Sequence, residues 1–300
     1  MTVCAVPLYR GRFAPSPTGP LHLGSLVAAL ASYLDAKSQQ GLWLLRIEDS
    51  DPPREVPEAS NWILQALDKL GLHWDETVLR QSTRQEAYLA ALHDLAQQGL
   101  IYACRCSRLA LADHSIYPGT CRDLQLPWQE GAALRCRVTA QCWRFQDRLQ
   151  GEQAQNLARD CGDFVVRRKD GPFSYQLAVV VDDAHQGITD IVRGIDLLDS
   201  TPRQLYLQHC LRLPPPRYAH VPVLMDTTSG QKLSKQNLAT PLDLARPAAT
   251  LWHALWLLRQ EPPPSLREDS VAQVLAWAVN NWRPAQLRGL TQLALAAPPL

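Results

Sequence analysis

The sequence contains no run of 18 apolar residues, so a bilayer-spanning helix is not expected. Residues Met1 to Pro20 lack a basic stretch followed by an apolar core, so no secretory leader is expected either. Charge of one sign is also missing: 30 Lys+Arg stand against 29 Asp+Glu, a net of +1. A domain that grips nucleic acid by charge alone is usually clearly basic, so an RNA or DNA partner has to be argued from motifs. There is no internal repeat and no low-complexity segment. With 46% apolar and 20% charged residues, the composition is that of a chain with a core. It is not that of a disordered, collagen-like or coiled-coil sequence.

At about 150 residues per domain, a chain of 300 residues points to two domains. Proline outnumbers glycine, 23 to 15, and clusters near 214–216, 262–264 and 298–299, marking linkers or element ends. Eight cysteines stand at 4, 104, 106, 121, 136, 142, 161 and 210. Without an export signal the cytoplasm is the expected compartment, and a metal site is the better use of any cysteine cluster than a disulfide.

The first 50 residues read as strand, loop, helix, strand. Val3 to Ala14 is extended and runs into Pro15-Ser16-Pro17-Thr18-Gly19-Pro20. Leu23, Leu26, Val27, Leu30, Tyr33 and Leu34 then recur at helical spacing to about Lys37. Gly41 closes that helix, and the run Leu42 to Ile47 suits a buried parallel strand. Strand–helix–strand with chemistry at the strand ends opens a doubly wound, Rossmann-type α/β sheet. Trp62, Ile63, Ala66, Leu67 and Leu70 mark a second helix. Thr83-x-x-Glu86 predicts a capping box, opening a third through Tyr88, Leu89, Leu92 and Leu95.

From Leu100 to Cys161 the pattern breaks down. It returns at Asp163-Phe-Val-Val-Arg167, continues through Leu177-Ala-Val-Val-Val-Asp-Asp183, and leads to a helix from Thr201 to about Leu213. Beyond Pro247 the chain is helical again, with Leu251, Leu255, Leu258, Val274, Leu275 and Ala278 at helical spacing. The expected organisation is a catalytic domain in two halves, 1–99 and 162–215, around an inserted subdomain at 100–161. A loop and helical part follow at 216–300.

Two motifs carry chemistry. Arg12-Phe-Ala-Pro-Ser-Pro-Thr-Gly-Pro-Leu-His-Leu-Gly-Ser25 is a Pro/Gly-stiffened turn between a strand and a helix start. Such a turn lets backbone N–H groups and the positive end of the helix approach an anion. His22 and Gly24 would sit where a nucleotide's phosphates and ribose come closest. A Pro-rich strand–helix connection is the plainer reading, and for Pro15 and Pro17 singly it is the better one. Lys232-Leu-Ser-Lys-Gln236 is the second: two lysines three apart on a polar loop can neutralise a triphosphate. Alone, such a pair is usually solvated surface. Its combination with the first motif, roughly 210 positions away, lifts it.

Together the pair resembles the HIGH and KMSKS signatures of class I aminoacyl-tRNA synthetases, and the long form of the first resembles the glutamyl branch. Further matches are Arg46-Ile-Glu-Asp-Ser-Asp51 with Pro52-Pro-Arg54, Phe173-Ser-Tyr-Gln-Leu-Ala178 and Ile191 to Thr201, so the resemblance covers roughly residues 8–240. The last position of HIGH is Ser25 here, and KMSKS reads Lys-Leu-Ser-Lys-Gln. Only 64 residues follow Gln236, too few for the anticodon-binding domain of a discriminating glutamyl enzyme. That resembles the truncated members of the branch, which attach glutamate to the queuosine base of tRNA(Asp).

The resemblance implies a glutamate site of Arg12, Phe13, Ala14, Pro15, Ser16, Glu48, Tyr175 and Arg193, with Glu48 accepting from the α-ammonium. A dicarboxylate needs guanidinium forks, and either arginine could hold either carboxylate. It also implies ATP held by His22, Gly24, Ser25, Lys232 and Lys235, with Mg²⁺ on the phosphates. His22 and Lys235 would act on the α-phosphate and the leaving pyrophosphate. Without the family pattern, Glu48 would be read as a surface partner of Arg46 or Arg54, and Tyr175 as core.

Cys104-x-Cys106 with Cys121 reads as a structural zinc site. By ligand chemistry alone His114 is the ordinary fourth ligand; the family pattern places Tyr117 there. The remaining cysteines are expected to be buried small hydrophobes.

The expected function is ATP-dependent activation of L-glutamate and its transfer to queuosine in tRNA(Asp), by a monomer. The alternatives are an enzyme charging the 3′ end of tRNA(Glu), a HIGH-type nucleotidyltransferase that uses no RNA, and a non-catalytic paralogue, against which intact His22, Lys232 and Lys235 argue. The one dense basic run, Arg167-Arg-Lys169, is explained as well by a solvated strand end as by RNA.

Overall fold

The computed structural model describes residues 8–225 and 242–295. In chain order these form β1 (Arg10–Phe13), α1 (Leu23–Lys37), β2 (Leu42–Ile47), α2 (Ala59–Lys69), β3 (Leu79–Arg80) and α3 (Gln85–Gln97). Next come β4 (Ile101–Cys104), β5 (Ala133–Cys136), β6 (Cys142–Asp147), β7 (Gly151–Asn156), α4 (Leu157–Asp160) and β8 (Phe164–Arg167). Then follow α5 (Tyr175–His185), β9 (Asp190–Gly194), α6 (Thr201–Cys210), β10 (Arg217–Val221) and β11 (Val223–Met225). The last are α7 (Pro247–Leu257), α8 (Val271–Asn280) and β12 (Gln292–Ala294). No helix among the described residues is long and apolar enough to cross a membrane.

The sheet that carries the site is parallel except at one edge, where β7 lies antiparallel on β6. β1 pairs with β2, β2 with β3, β9 with β10 and β10 with β6, all in parallel. The two halves meet at β1 and β9: the Thr189 N–H donates to the Arg10 carbonyl at 3.0 Å, and the Arg10 N–H to Thr189 Oγ1 at 2.9 Å. The order β3-β2-β1-β9-β10-β6 therefore reverses direction between β1 and β9. In doubly wound folds the crevice beyond the strand ends opens at that switch point.

β2 explains why this region reads so clearly from sequence. Trp43, Leu45 and Ile47 point into a core shared with α1, α7 and α8, while Leu44 packs against Ile191 and Tyr218 on the opposite face. A strand covered on both sides must be continuously apolar. A second core forms where α3, α5 and α6 meet β4, β5 and β8.

Local expectations are corrected at α2, at Thr83 and at the cysteines. Trp62 is 43% exposed, so α2 buries only Ile63, Ala66 and Leu67 of its predicted face, with Leu70 just past its end. The Thr83–Glu86 capping box does not form. Thr83 closes a short 3₁₀ turn, its hydroxyl donates to the Arg80 carbonyl, and α3 starts after Arg84 with no side-chain cap. A capping box does open α8, at Ser270 and Gln273. Cys142 is exposed and Cys161 only partly buried, whereas Cys136 and Cys210 are buried as expected; Cys4 lies outside the described residues.

The segment 100–161 is not a single separate layer. β4 and β5 continue into an antiparallel sheet with β8, while β6 joins the main sheet where Tyr218 registers with Asp147.

Candidate active site

At the switch point the strand ends open into a cleft of about 800 Å³. From the first half come Arg12, Phe13, Ala14 and Ser16 at the end of β1, and Glu48 just after β2. From the second half come Tyr175, at the head of α5, and Arg193, on β9. Seven of the eight residues expected around glutamate thus share one wall. Pro15 does not line it, and its carbonyl accepts the Glu48 N–H at 3.0 Å, which ties the two loops together.

The buried arginines of the cleft are held by partners behind them. Arg12 donates from Nε to Asp183 Oδ1 at 3.2 Å, and Arg46 donates to the same oxygen at 2.7 Å. Burial alone would raise the Asp183 pKa, but the two guanidiniums hold it below the usual carboxylate range. Glu48 has a side chain only 10% exposed, 3.9 Å from Arg46 Nε. Burial outweighs the nearby arginines and pushes its pKa up to about 7. It is therefore not a surface partner of Arg46, which is fully buried, nor of Arg54, which pairs with Asp51.

Arg193 is 4% exposed. It donates from Nε to His220 Nε2 at 3.0 Å, from Nη1 to the Tyr175 hydroxyl at 3.2 Å, and from Nη2 to Thr201 Oγ1 at 2.9 Å and the Leu197 carbonyl at 3.3 Å. Of its five N–H donors, one on Nη1 is left, and Arg193 lines the cleft. Tyr175 thus lines the cleft bound to an arginine, while its ring also packs against the second core.

His22, Gly24 and Ser25 occupy the N-terminus of α1. His22 is the cap: its ring accepts the Ser25 N–H at 3.3 Å and lies 3.0 Å from Ser25 Oγ. The same helix gives Ala28 to the cleft wall. Lys232 and Lys235 lie outside the described residues.

Sequence reasoning missed several wall residues. Gln81 is one, held from behind by Asp182 at 2.9 Å. Ser174, whose buried hydroxyl has no partner within the described protein, is another. Arg168 reaches across to Asp51 at 2.9 Å and also pairs with Asp170, so it is not a solvated strand-end cation. No sequence signal marks Gln81; Arg168 stood out only as part of a basic run.

The cysteine cluster lies apart from the cleft. The ligand atoms of Cys104, Cys106 and Cys121 lie within 4.8 Å of one another. The Tyr117 hydroxyl sits 3.4 Å from Cys104 Sγ and 3.9 Å from Cys106 Sγ. Burial opposes ionisation of Cys104, yet Tyr117 and Arg135 bring its pKa down to about 7. Three converging thiols with one poised to ionise fit a thiophilic metal. His114 is exposed and is not part of the group.

This arrangement, a reversed parallel sheet with arginines and a tyrosine at the switch point, is that of a class I tRNA synthetase catalytic domain. The family model for class I tRNA synthetases (E and Q), catalytic domain, matches residues 9–116 and 126–246. The solved glutamate-tRNA synthetase of Elizabethkingia anophelis superposes with a TM-score of 0.81 at 23% identity, covering 97% of this chain and 68% of that one. That likeness establishes the fold. The glutamyl-Q tRNA(Asp) synthetase of Pseudomonas fluorescens is 56% identical over 286 residues, 95% of each chain. That of Pseudomonas aeruginosa PAO1 is 55% identical over 275 residues, 91% of this chain and 93% of the relative. The chain belongs to the glutamyl-Q tRNA(Asp) synthetase family.

Proposed function

We propose that the protein activates L-glutamate with ATP and transfers it to the queuosine base in the anticodon loop of tRNA(Asp). The observation that carries this reading is the identity of 54–56% to glutamyl-Q tRNA(Asp) synthetases over more than nine-tenths of the chain. The cleft supports it from the chemistry side. Arg12 and Arg193, arriving from opposite halves of the sheet, suit a dicarboxylate. Ionised Glu48 suits the α-ammonium. Phe13, Ala14 and Ser16 shape the wall, Pro15 ties it to the Glu48 loop, and Tyr175 orients the carboxylate beside Arg193.

The chemistry is positioning plus charge neutralisation. The glutamate α-carboxylate attacks the α-phosphorus of ATP, pyrophosphate leaves, and glutamyl-adenylate remains. A queuosine hydroxyl then attacks the acyl carbon and AMP leaves. His22, Gly24 and Ser25 at the head of α1 serve the nucleotide. Lys232 and Lys235 serve the triphosphate, with Mg²⁺ on its oxygens. A structural zinc on Cys104, Cys106, Tyr117 and Cys121 would staple the inserted segment 100–161 and take no part in the reaction. The enzyme acts as a cytoplasmic monomer, with the two halves 1–99 and 162–215 building the site.

The test is transfer of labelled glutamate to tRNA(Asp) with and without queuosine, and to tRNA(Glu). Labelling of the queuosine form alone is expected. Equal labelling of tRNA(Glu) would instead make the protein a 3′-charging glutamyl enzyme.

A further inference from the structure

Behind Arg193 lies a buried chain of polar groups with no role in the chemistry above. β9 and β10 are in register with Arg193 beside His220, so both side chains leave the sheet on the same face. His220 Nε2 receives the Arg193 Nε–H at 3.0 Å. A guanidinium only donates, so that nitrogen must carry a lone pair and the ring proton must sit on Nδ1. His220 Nδ1 faces Asp147 Oδ2 at 2.6 Å. Asp147 is itself fixed: its Oδ1 accepts the backbone N–H groups of Leu149 and Gln150, each at 2.9 Å. The imidazole lies parallel to the Tyr218 ring, 6.1 Å between centroids. Both His220 and Asp147 are essentially inaccessible to water.

A buried imidazole acts as a pure acceptor toward an arginine only while neutral and in one tautomer. Asp147 enforces the tautomer, as a carboxylate does for any histidine whose other nitrogen has work to do. Burial lowers the His220 pKa, Asp147 opposes this, and the Arg193 and Arg12 guanidiniums lower it again; the balance lies below the ordinary value. The imidazole therefore adds no charge, and Arg193 keeps its own for a ligand. A carboxylate in the place of His220 would fix the arginine equally well but would neutralise it.

We propose that His220, oriented by Asp147, is a positioning residue that aims the Arg193 guanidinium, and with it the Tyr175 hydroxyl, at a carboxylate of the bound amino acid. This rests on the glutamate-activation reading of the cleft.

The experiment is glutamate-dependent ATP–pyrophosphate exchange without tRNA, on the whole chain. Exchange by the unmodified protein establishes the underlying reading; its absence would overturn both. His220→Leu removes the acceptor, and the glutamate KM should rise roughly tenfold or more while the ATP KM and turnover change little. His220→Gln returns an acceptor oxygen to Arg193 and should recover most of that loss. A merely structural role predicts the opposite pattern, with both KM values and turnover degrading together and Gln no better than Leu. Ring ¹⁵N NMR of the unmodified protein gives a reading that needs no variant. Protonated Nδ1 and bare Nε2 on His220 at neutral pH are expected, and a proton on Nε2 would overturn the proposal.

Discussion

Glu48 sits where burial and guanidiniums compete, and burial wins. An acid whose pKa is raised to about 7 carries its proton below that pH, and a neutral carboxyl cannot pair with an α-ammonium. The glutamate KM in pyrophosphate exchange should therefore climb as the pH falls through 7. Glu48→Gln should show a high KM at every pH and lose the dependence. An unchanged KM from about pH 8 to about pH 6 would remove Glu48 from the ammonium site. Asp183 is the opposite case, a buried carboxylate serving two arginines. Asp183→Asn strands both cations and should cost roughly 3–5 kcal/mol in urea unfolding. With its pKa depressed, Asp183 supplies its stabilisation above the ordinary carboxylate pKa and loses it as the pH falls through the lower folded value. The cleft-lining residues expected around glutamate were legible because they lie in contiguous motifs. His220 and Asp147 were not: they are 73 positions apart, and only strand register brings them together.

Among the elements, those that bury two faces or one clean stripe announced themselves. β2 runs over the expected residues, and α1 over Leu23–Lys37. The run Leu177 to Val181, apolar throughout, belongs to helix α5, and such runs carry no period to separate strand from helix. The false box at Thr83 failed because the chain there makes a 3₁₀ turn before α3. The segment around the thiols was legible by its cysteines and opaque in its strands. Its geometry turns on Gly162, which has φ +69° and whose added Cβ would lie 2.8 Å from the Tyr117 carbonyl. Gly162→Ala should therefore displace Tyr117 and weaken metal affinity roughly tenfold in a chelator competition. Cys106→Ser should release the metal outright, with one zinc per unmodified chain found by elemental analysis. In both variants hydrogen exchange should rise around residues 104–121 and stay unchanged in β1, β2 and β9. Full metal content in Cys106→Ser would refute the thiol site.

At the scale of the whole molecule, two half-sheets meet edge to edge, and the cleft opens where both halves supply its lining. β1 contributes Arg12 and β9 contributes Arg193, each braced from behind, by Asp183 and by His220 with Asp147. The doubly wound fold was readable from the strand–helix–strand opening; the pairing of β6 with β10 was not, because it is sequence-distant and contributes a single register pair. On the proposed reading the cleft's own residues suffice to activate glutamate, so adenylate formation should proceed without RNA. Lys235→Ala should depress exchange by more than tenfold, since a charged contact to phosphate contributes roughly 1.5–3 kcal/mol. The acceptor is the decisive question, because a splayed anticodon-loop base offers a pocket its edges and faces, whereas a 3′ terminus offers a ribose. The measurement that decides it is nuclease digestion of tRNA(Asp) labelled by the enzyme with radioactive glutamate, followed by identification of the labelled nucleoside. The label is predicted on queuosine; label on the 3′-terminal adenosine would contradict the account.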